Sequence, residues 1–296
     1  MATTNWNTGV RQIPDEWRKT KGQGVKVAIL DTGVFSGHSD LHGAIALSED
    51  FTKVMDNIDY TGHGTHVAGL IGARSAATDG VVGVAPSAEL LCLKVLPDNK
   101  DGGDAGIYQG MLDALDFAVK NGADVINMSL SLNADTEGES AAADQAIITA
   151  LRNKIKEIGD KNIIMVAAGG DSGDLRNSKL FFPASCPEII SVASVSQGYF
   201  KRNPVYSKNL NIAGPTINYL STFNAPLNYQ QQEGCSMTTA FISGIIALAI
   251  SVNRSMSAGR LSKVEMLELL NKYSMALDDI DYADDSTFCY HVLQNT

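Results

Sequence analysis

Basic side chains are in short supply: 23 Lys and Arg stand against 33 Asp and Glu, a net charge of −10. A chain this acidic is a poor electrostatic match for nucleic acid or an anionic membrane, so neither is expected as a partner. Long apolar runs are missing too. The longest candidate, Ile242–Val252, falls well short of the roughly 18 residues that a membrane-crossing helix needs. Cysteine is scarce: Cys92, Cys186, Cys235 and Cys289 share no CxxC or zinc-like spacing and are too scattered for a disulfide scaffold. They read as free thiols packed like small hydrophobes, which slightly favours a cytoplasmic location. No basic segment followed by an apolar one opens the chain, so no signal peptide is read there; secretion after processing stays open. Internal repeats, low-complexity tracts and Pro/Gly/Ser linkers are also lacking.

What is present is ordinary for a folded chain. Its 296 residues, 44% of them hydrophobic, can bury a full core. Short apolar runs read as buried strands at Val25–Leu30, Glu89–Leu96, Val125–Leu130, Ile163–Ala168 and Ile189–Val195. Between them lie helical patterns at His63–Gly72, Ile107–Asn121 and Ala141–Ile158, and later at Met237–Val252 and Leu261–Tyr273. This alternation predicts an α/β fold: an open, mostly parallel twisted sheet with helices on both faces. One domain over residues 17–277 is expected. Residues 1–16 form an N-terminal extension, and the acidic stretch 278–296 a solvated tail.

In such sheets ligands bind beyond the carboxyl ends of the strands. Asp31 ends the first strand, His63 opens a helix after Gly62, and Ser236 opens the buried helix after Gly234-Cys235. A serine hydroxyl is a weak nucleophile until a histidine takes its proton. The histidine in turn needs a carboxylate to fix its tautomer and stabilise the imidazolium. A nucleotide-binding reading has little support, because no Gly-rich phosphate loop follows the first strand.

The flanks carry more information than the three residues alone. Val27-Ala28-Ile29-Leu30-Asp31-Thr32-Gly33, His63-Gly64-Thr65-His66-Val67-Ala68-Gly69 and Gly234-Cys235-Ser236-Met237 resemble the signature segments of the subtilisin-like serine peptidases, in the same order. The resemblance runs from about Trp17 to Tyr273. It implies a serine endopeptidase with no catalytic cofactor, in which Ser236 attacks, His63 acts as base and then acid, and Asp31 orients His63. It implies an extended polypeptide substrate lying along Ser129-Leu130-Ser131, with Asp104-Ala105-Gly106 on its other side. A pro-segment or inhibitor is a further expected partner. Tyr108 falls where members have an aromatic lid, and His66 reads as a packed structural residue. Asp40 corresponds to a ligand of the family's structural Ca²⁺ site. There Ala76 stands in place of an asparagine, and Thr78 or Asp79 could compensate.

The chain departs from the pattern at several points. Ala167-Ala168-Gly169 is followed by Gly170 and then Asp171, where the family places an oxyanion-binding asparagine. Losing one such donor costs on the order of 10²–10³ in turnover. The oxyanion candidates are therefore Gly170, Asp171 after a one-residue shift, and the backbone N–H of Ser236. Restoring asparagine at Gly170 is expected to raise the rate. Cys235 replaces a threonine and Ala240 a proline. Phe181 falls at the floor of the primary specificity pocket, with Leu132 on its wall, which predicts a small apolar pocket. A second reading follows from these losses: a degenerate protease fold kept for binding or scaffolding.

Overall fold

Seven parallel strands are set in the order β2-β3-β1-β4-β5-β6-β7, where β1 is Lys26–Asp31, β2 Ile45–Asp50, β3 Glu89–Lys94, β4 Val125–Met128, β5 Ile164–Ala168, β6 Ile190–Val195 and β7 Ile212–Pro215. The computed structural model describes residues 14–52, 56–77, 79–97, 103–132, 141–170, 180–195, 210–215, 218–273, 275–276 and 290–291. Central strands run apolar without alternation because both faces are covered. Val27 and Ile29 of β1 enter one core, while Ala28 and Leu30 enter the other. The first core is closed by α2 (His63–Gly72) and α5 (Cys235–Ser255), the second by α3 (Gly103–Lys120) and α4 (Ala141–Asp160).

The helix α5 has 21 residues, is long and apolar enough to cross a membrane by length and composition, and exceeds the Ile242–Val252 run read from sequence. It is instead the central core helix, buried along most of its length. At the chain's start, α1 (Asp15–Thr20) buries Trp17, whose ring meets Tyr273 edge-on at 5.1 Å beyond α6 (Lys263–Asn271). The helix begins two residues before the expected boundary at Trp17.

Two edge features were silent in the sequence. Strand β2 is an edge strand with mixed exposure, and its register against β3 shifts between Ile45 and Leu47. The antiparallel hairpin of β8 (Tyr219–Thr222) and β9 (Tyr229–Gln232) packs beside α2. The tail is not wholly a solvated appendage. Tyr290–His291 (β11) pairs antiparallel with β7, and Met275–Ala276 (β10) pairs with β11. Cys92, Cys186 and Cys235 are buried free thiols. Burial pushes the Cys186 thiol up to about 11. It also pushes Cys92 up to about 12, helped by the neighbouring Asp31 and Asp59 carboxylates.

Candidate active site

Asp31 closes β1 with its side chain almost fully buried, 1% exposed, while the His63 ring is 29% exposed. Their contact is short: His63 Nδ1 lies 2.6 Å from Asp31 Oδ1. With the carboxylate ionised, Nδ1–H donates and Nε2 is left as the basic nitrogen. Asp31 Oδ1 also accepts from the Thr32 N–H at 2.8 Å, which fixes the carboxylate plane. Helix α2 approaches β1 so closely that only glycine fits at position 64. A Cβ there would stand 2.2 Å from the Gly33 carbonyl oxygen and 3.2 Å from Asp31 Cβ.

Ser236 sits in the first turn of α5, which follows the N-cap Gly234. Its hydroxyl donates to the Ser129 carbonyl at 3.0 Å, and the Ser129 hydroxyl donates back to the Ser236 carbonyl at 2.8 Å. Extending the β1–β4 register by two residues places Ser129 beside Asp31. Asp31, which holds His63, and Ser129, which holds Ser236, thus lie side by side at the carboxyl ends of two neighbouring strands. First-turn N–H groups have no intrahelical acceptor, so the Ser236 N–H is available at the positive end of a long helix.

A model of the Subtilase family matches residues 22–272. The chain belongs to the subtilase family. It is 33% identical over 280 residues to the major intracellular serine protease of Bacillus subtilis (strain 168), covering 91% of this chain and 82% of that one. Thermitase of Thermoactinomyces vulgaris is 33% identical over 252 residues, covering 83% of this chain and 82% of thermitase. Among solved structures, sphericase superposes with a TM-score of 0.68 at 27% identity, covering 90% of this chain and 91% of sphericase. The protein is a subtilisin-like serine endopeptidase, and its substrate is polypeptide.

Within this subtilase, two expectations about the substrate edge need correction. Asp104, Ala105 and Gly106 lie inside the first turn of α3, not on an extended segment. Their backbone is wound into a helix and offers no ladder to a strand-like substrate. Tyr108, one turn on, is fully enclosed and meets Phe182 edge-on at 6.5 Å; it is a core residue rather than a lid. On the opposite edge, Ser129 and Leu130 are buried and Ser131 is exposed. Ser131 Oγ donates to the Ala168 carbonyl at 3.3 Å. Leu132 pairs with Phe182 through backbone bonds of 2.8 and 3.1 Å. Phe181 is half-buried, with its ring laid against Gly170: a Cβ on Gly170 would meet Phe181 Cδ2 at 2.5 Å. Asp171 lies outside the described residues. The Cys235 thiol donates to the Val192 carbonyl at 3.0 Å, and Ala240 is fully buried.

Asp40, the expected Ca²⁺ ligand, is held within the protein. Asp40 Oδ2 accepts the Val81 N–H at 2.8 Å and the Tyr229 hydroxyl at 2.9 Å. The Val81 carbonyl accepts the Ser75 N–H at 3.2 Å. These hydrogen bonds hold the 75–81 loop against Asp40 without an ion. Asp79 is exposed, and Thr78 lies outside the described residues. No group of three or more His, Cys, Asp or Glu side chains suited to a metal occurs among the described residues. Among the described residues, Asp40 Oδ2 and the Val81 carbonyl are thus engaged in hydrogen bonds within the protein.

His66 is fully buried, with Nε2 3.0 Å from the carbonyls of both Tyr219 and Gln230. Burial lowers its pKa to about 4, against the raising effect of those carbonyls, so it is neutral and unsuited to serve as a second base. The folded value lies below the ordinary 6.5, so stability is fully present above pH 6.5 and is lost as pH falls towards 4. In an inactive Ser236→Ala background, the stability gap between His66 and His66→Gln should shrink by about 3 kcal/mol between pH 7 and pH 4. A gap independent of pH in urea titrations would show that the ring is not held neutral.

The polar groups beneath the site leave no local pattern in the sequence. Asn127 Nδ2 donates to Ser129 Oγ at 3.0 Å, and Asn127 Oδ1 accepts from Ser243 of α5 at 2.9 Å. This chain ties β4 to the nucleophile's helix. Asp59 and Thr32 do the same for α2. The only signal for Asp59 was an acid just ahead of a helix start.

Proposed function

We propose that Asp31, His63 and Ser236 form the catalytic triad of this endopeptidase. The observation that carries the reading is the 2.6 Å Asp31–His63 contact, at the carboxyl end of a central strand beside the Ser129 that holds Ser236. His63 Nε2 takes the Ser236 hydroxyl proton as Oγ attacks the scissile carbonyl. It then delivers that proton to the leaving amine, giving an acyl-enzyme. Water, deprotonated by the same nitrogen, releases the acid product. Asp31 stays ionised and stabilises the imidazolium between the two transfers. The Ser236 N–H donates to the developing oxyanion, and with no side chain at Gly170 to add a second donor, turnover is slow for the family. The substrate adds as a strand along Ser129–Ser131, an edge a pro-segment or inhibitor would also use. A fluorophosphonate probe should label the wild type and not Ser236→Ala. Equal labelling of both would overturn the reading.

The degenerate-fold reading is not favoured, since the relatives are serine proteases by name. An intracellular location fits the buried free thiols and matches the names of two relatives.

Folding stability in this reading does not depend on calcium. A bound ion at about 100 times its dissociation constant adds about 2.7 kcal/mol, a shift of several degrees in melting temperature. Ser236→Ala protein should instead melt at the same temperature, within about 1–2 °C, in excess chelator and in millimolar calcium. Tyr229→Phe should lower stability by about 1 kcal/mol in both, by deleting a hydrogen bond to Asp40. A melting temperature that rises steeply with calcium would reinstate the ion.

A further inference from the structure

Helix α2 starts on a glycine. Gly62, the N-cap, has no side chain with which to meet the free N–H groups of the first turn. Those groups are met from elsewhere. Asp59, buried to 1% exposure, accepts the Gly62 N–H at 2.8 Å on Oδ1 and the Thr65 N–H at 2.7 Å on Oδ2. The Thr32 hydroxyl accepts the Gly64 N–H at 2.9 Å, and the Thr61 hydroxyl accepts the His63 N–H at 3.3 Å. The two acceptor groups are themselves joined, because the Thr32 hydroxyl lies 2.9 Å from Asp59 Oδ1 and 3.3 Å from Asp31 Oδ1. The N–H groups on both sides of His63 are therefore tied, through one carboxylate and one hydroxyl, to the residue that follows Asp31.

We propose that Asp59 is a positioning residue for the reaction: through Thr32 and the first turn of α2 it fixes His63 and Asp31 relative to each other. It touches neither substrate nor reacting atoms. The inference rests on the Asp31–His63–Ser236 reading above. The carboxylate form is required, because both of its oxygens accept backbone N–H bonds. An asparagine amide, in either orientation, would turn an NH₂ donor against one of those N–H donors. The released turn lets the imidazole drift, and displacement by about 1 Å is enough to lose about 10²-fold in rate. Substrate binding, which uses the Ser129–Ser131 edge on another strand, is untouched.

The test is a kinetic cycle on the full chain with a peptide substrate. Asp59→Asn should lower kcat by about 10- to 100-fold, with KM unchanged within about 2-fold. In a His63→Ala background the same change should remove nothing further from the residual rate, since it acts through the imidazole. Thr32→Val should lower kcat as well, and Thr32→Ser, which keeps the hydroxyl, should restore it. This pair carries the test if Asp59→Asn does not fold. Wild-type kcat in Asp59→Asn, or in Thr32→Val where Asp59→Asn does not fold, would overturn the proposal, as would an equal loss in the His63→Ala background. Full cleavage by His63→Ala would overturn the triad instead, so the two failures are distinguishable.

Discussion

Ser236→Ala, His63→Ala and the double variant should show nearly the same peptide-cleavage rate, each reduced by roughly 10⁶-fold, the scale on which the triad of subtilisin acts as a unit. The hydroxyl is nucleophilic only while His63 Nε2 can take its proton, so removing either partner removes the same step. Asp31→Asn should cost less, about 10⁴-fold, because the nucleophile and base remain while the short Asp31–His63 contact no longer enforces the tautomer. Residual cleavage of the double variant should still exceed the uncatalysed rate, owing to the Ser236 N–H and substrate binding. Losses that multiply, with the double variant far below either single one, would mean that the two residues act independently.

How much of this was legible depends on where the information sits. The central strands were readable because burial on both faces demands unbroken apolar runs, and β1, β3, β4, β5 and β6 fall within a residue or two of their expected positions. Helix α2 begins at His63 as expected. Strand β2 escaped because an edge strand needs no such run, and Ser48, Glu49 and Asp50 hide its pattern. The resemblance places Asp104–Gly106 beside the substrate, and no local pattern opposes it. Apolar periodicity in α3 starts only at Ile107, so the first turn of that helix leaves no trace in the sequence. Tyr108 already lies within the helix read over Ile107–Asn121; its lid role comes from the resemblance, while its ring packs into the interior against Phe182. The polar groups beneath the site were harder still. Asn127, Ser243, Thr32 and Asp59 are joined by contacts spanning 27 to 116 residues of chain, and no local pattern encodes such pairs.

Replacing Gly170 should lower stability and leave turnover no higher, the reverse of what the motif alone suggests. Two separate costs meet at this position. Its φ of +113° is a conformation that glycine adopts freely and that strains other residues by about 1–3 kcal/mol. A Cβ would also stand 2.5 and 2.9 Å from Phe181 Cδ2 and Cε2, and overpacking of that kind costs a further 1–3 kcal/mol, roughly. An asparagine placed there must push the ring aside before its amide can reach an oxyanion. Gly170→Asn should therefore melt several degrees lower in the Ser236→Ala background and gain no activity in the wild-type one. Adding Phe181→Ala should recover the ring's share of the loss but not the backbone's. The same ring sets specificity in our reading. With Phe181 against Gly170 and Leu132 held to Phe182, the pocket before the scissile bond admits small side chains and disfavours Phe or Tyr by about 10- to 100-fold. Phe181→Ala should erase that preference in a peptide library. Efficient cleavage after Phe and Tyr by the wild type, unchanged in Phe181→Ala, would place the ring outside the pocket. A rate gain in Gly170→Asn at wild-type stability would show that the loop yields where its packing says it cannot.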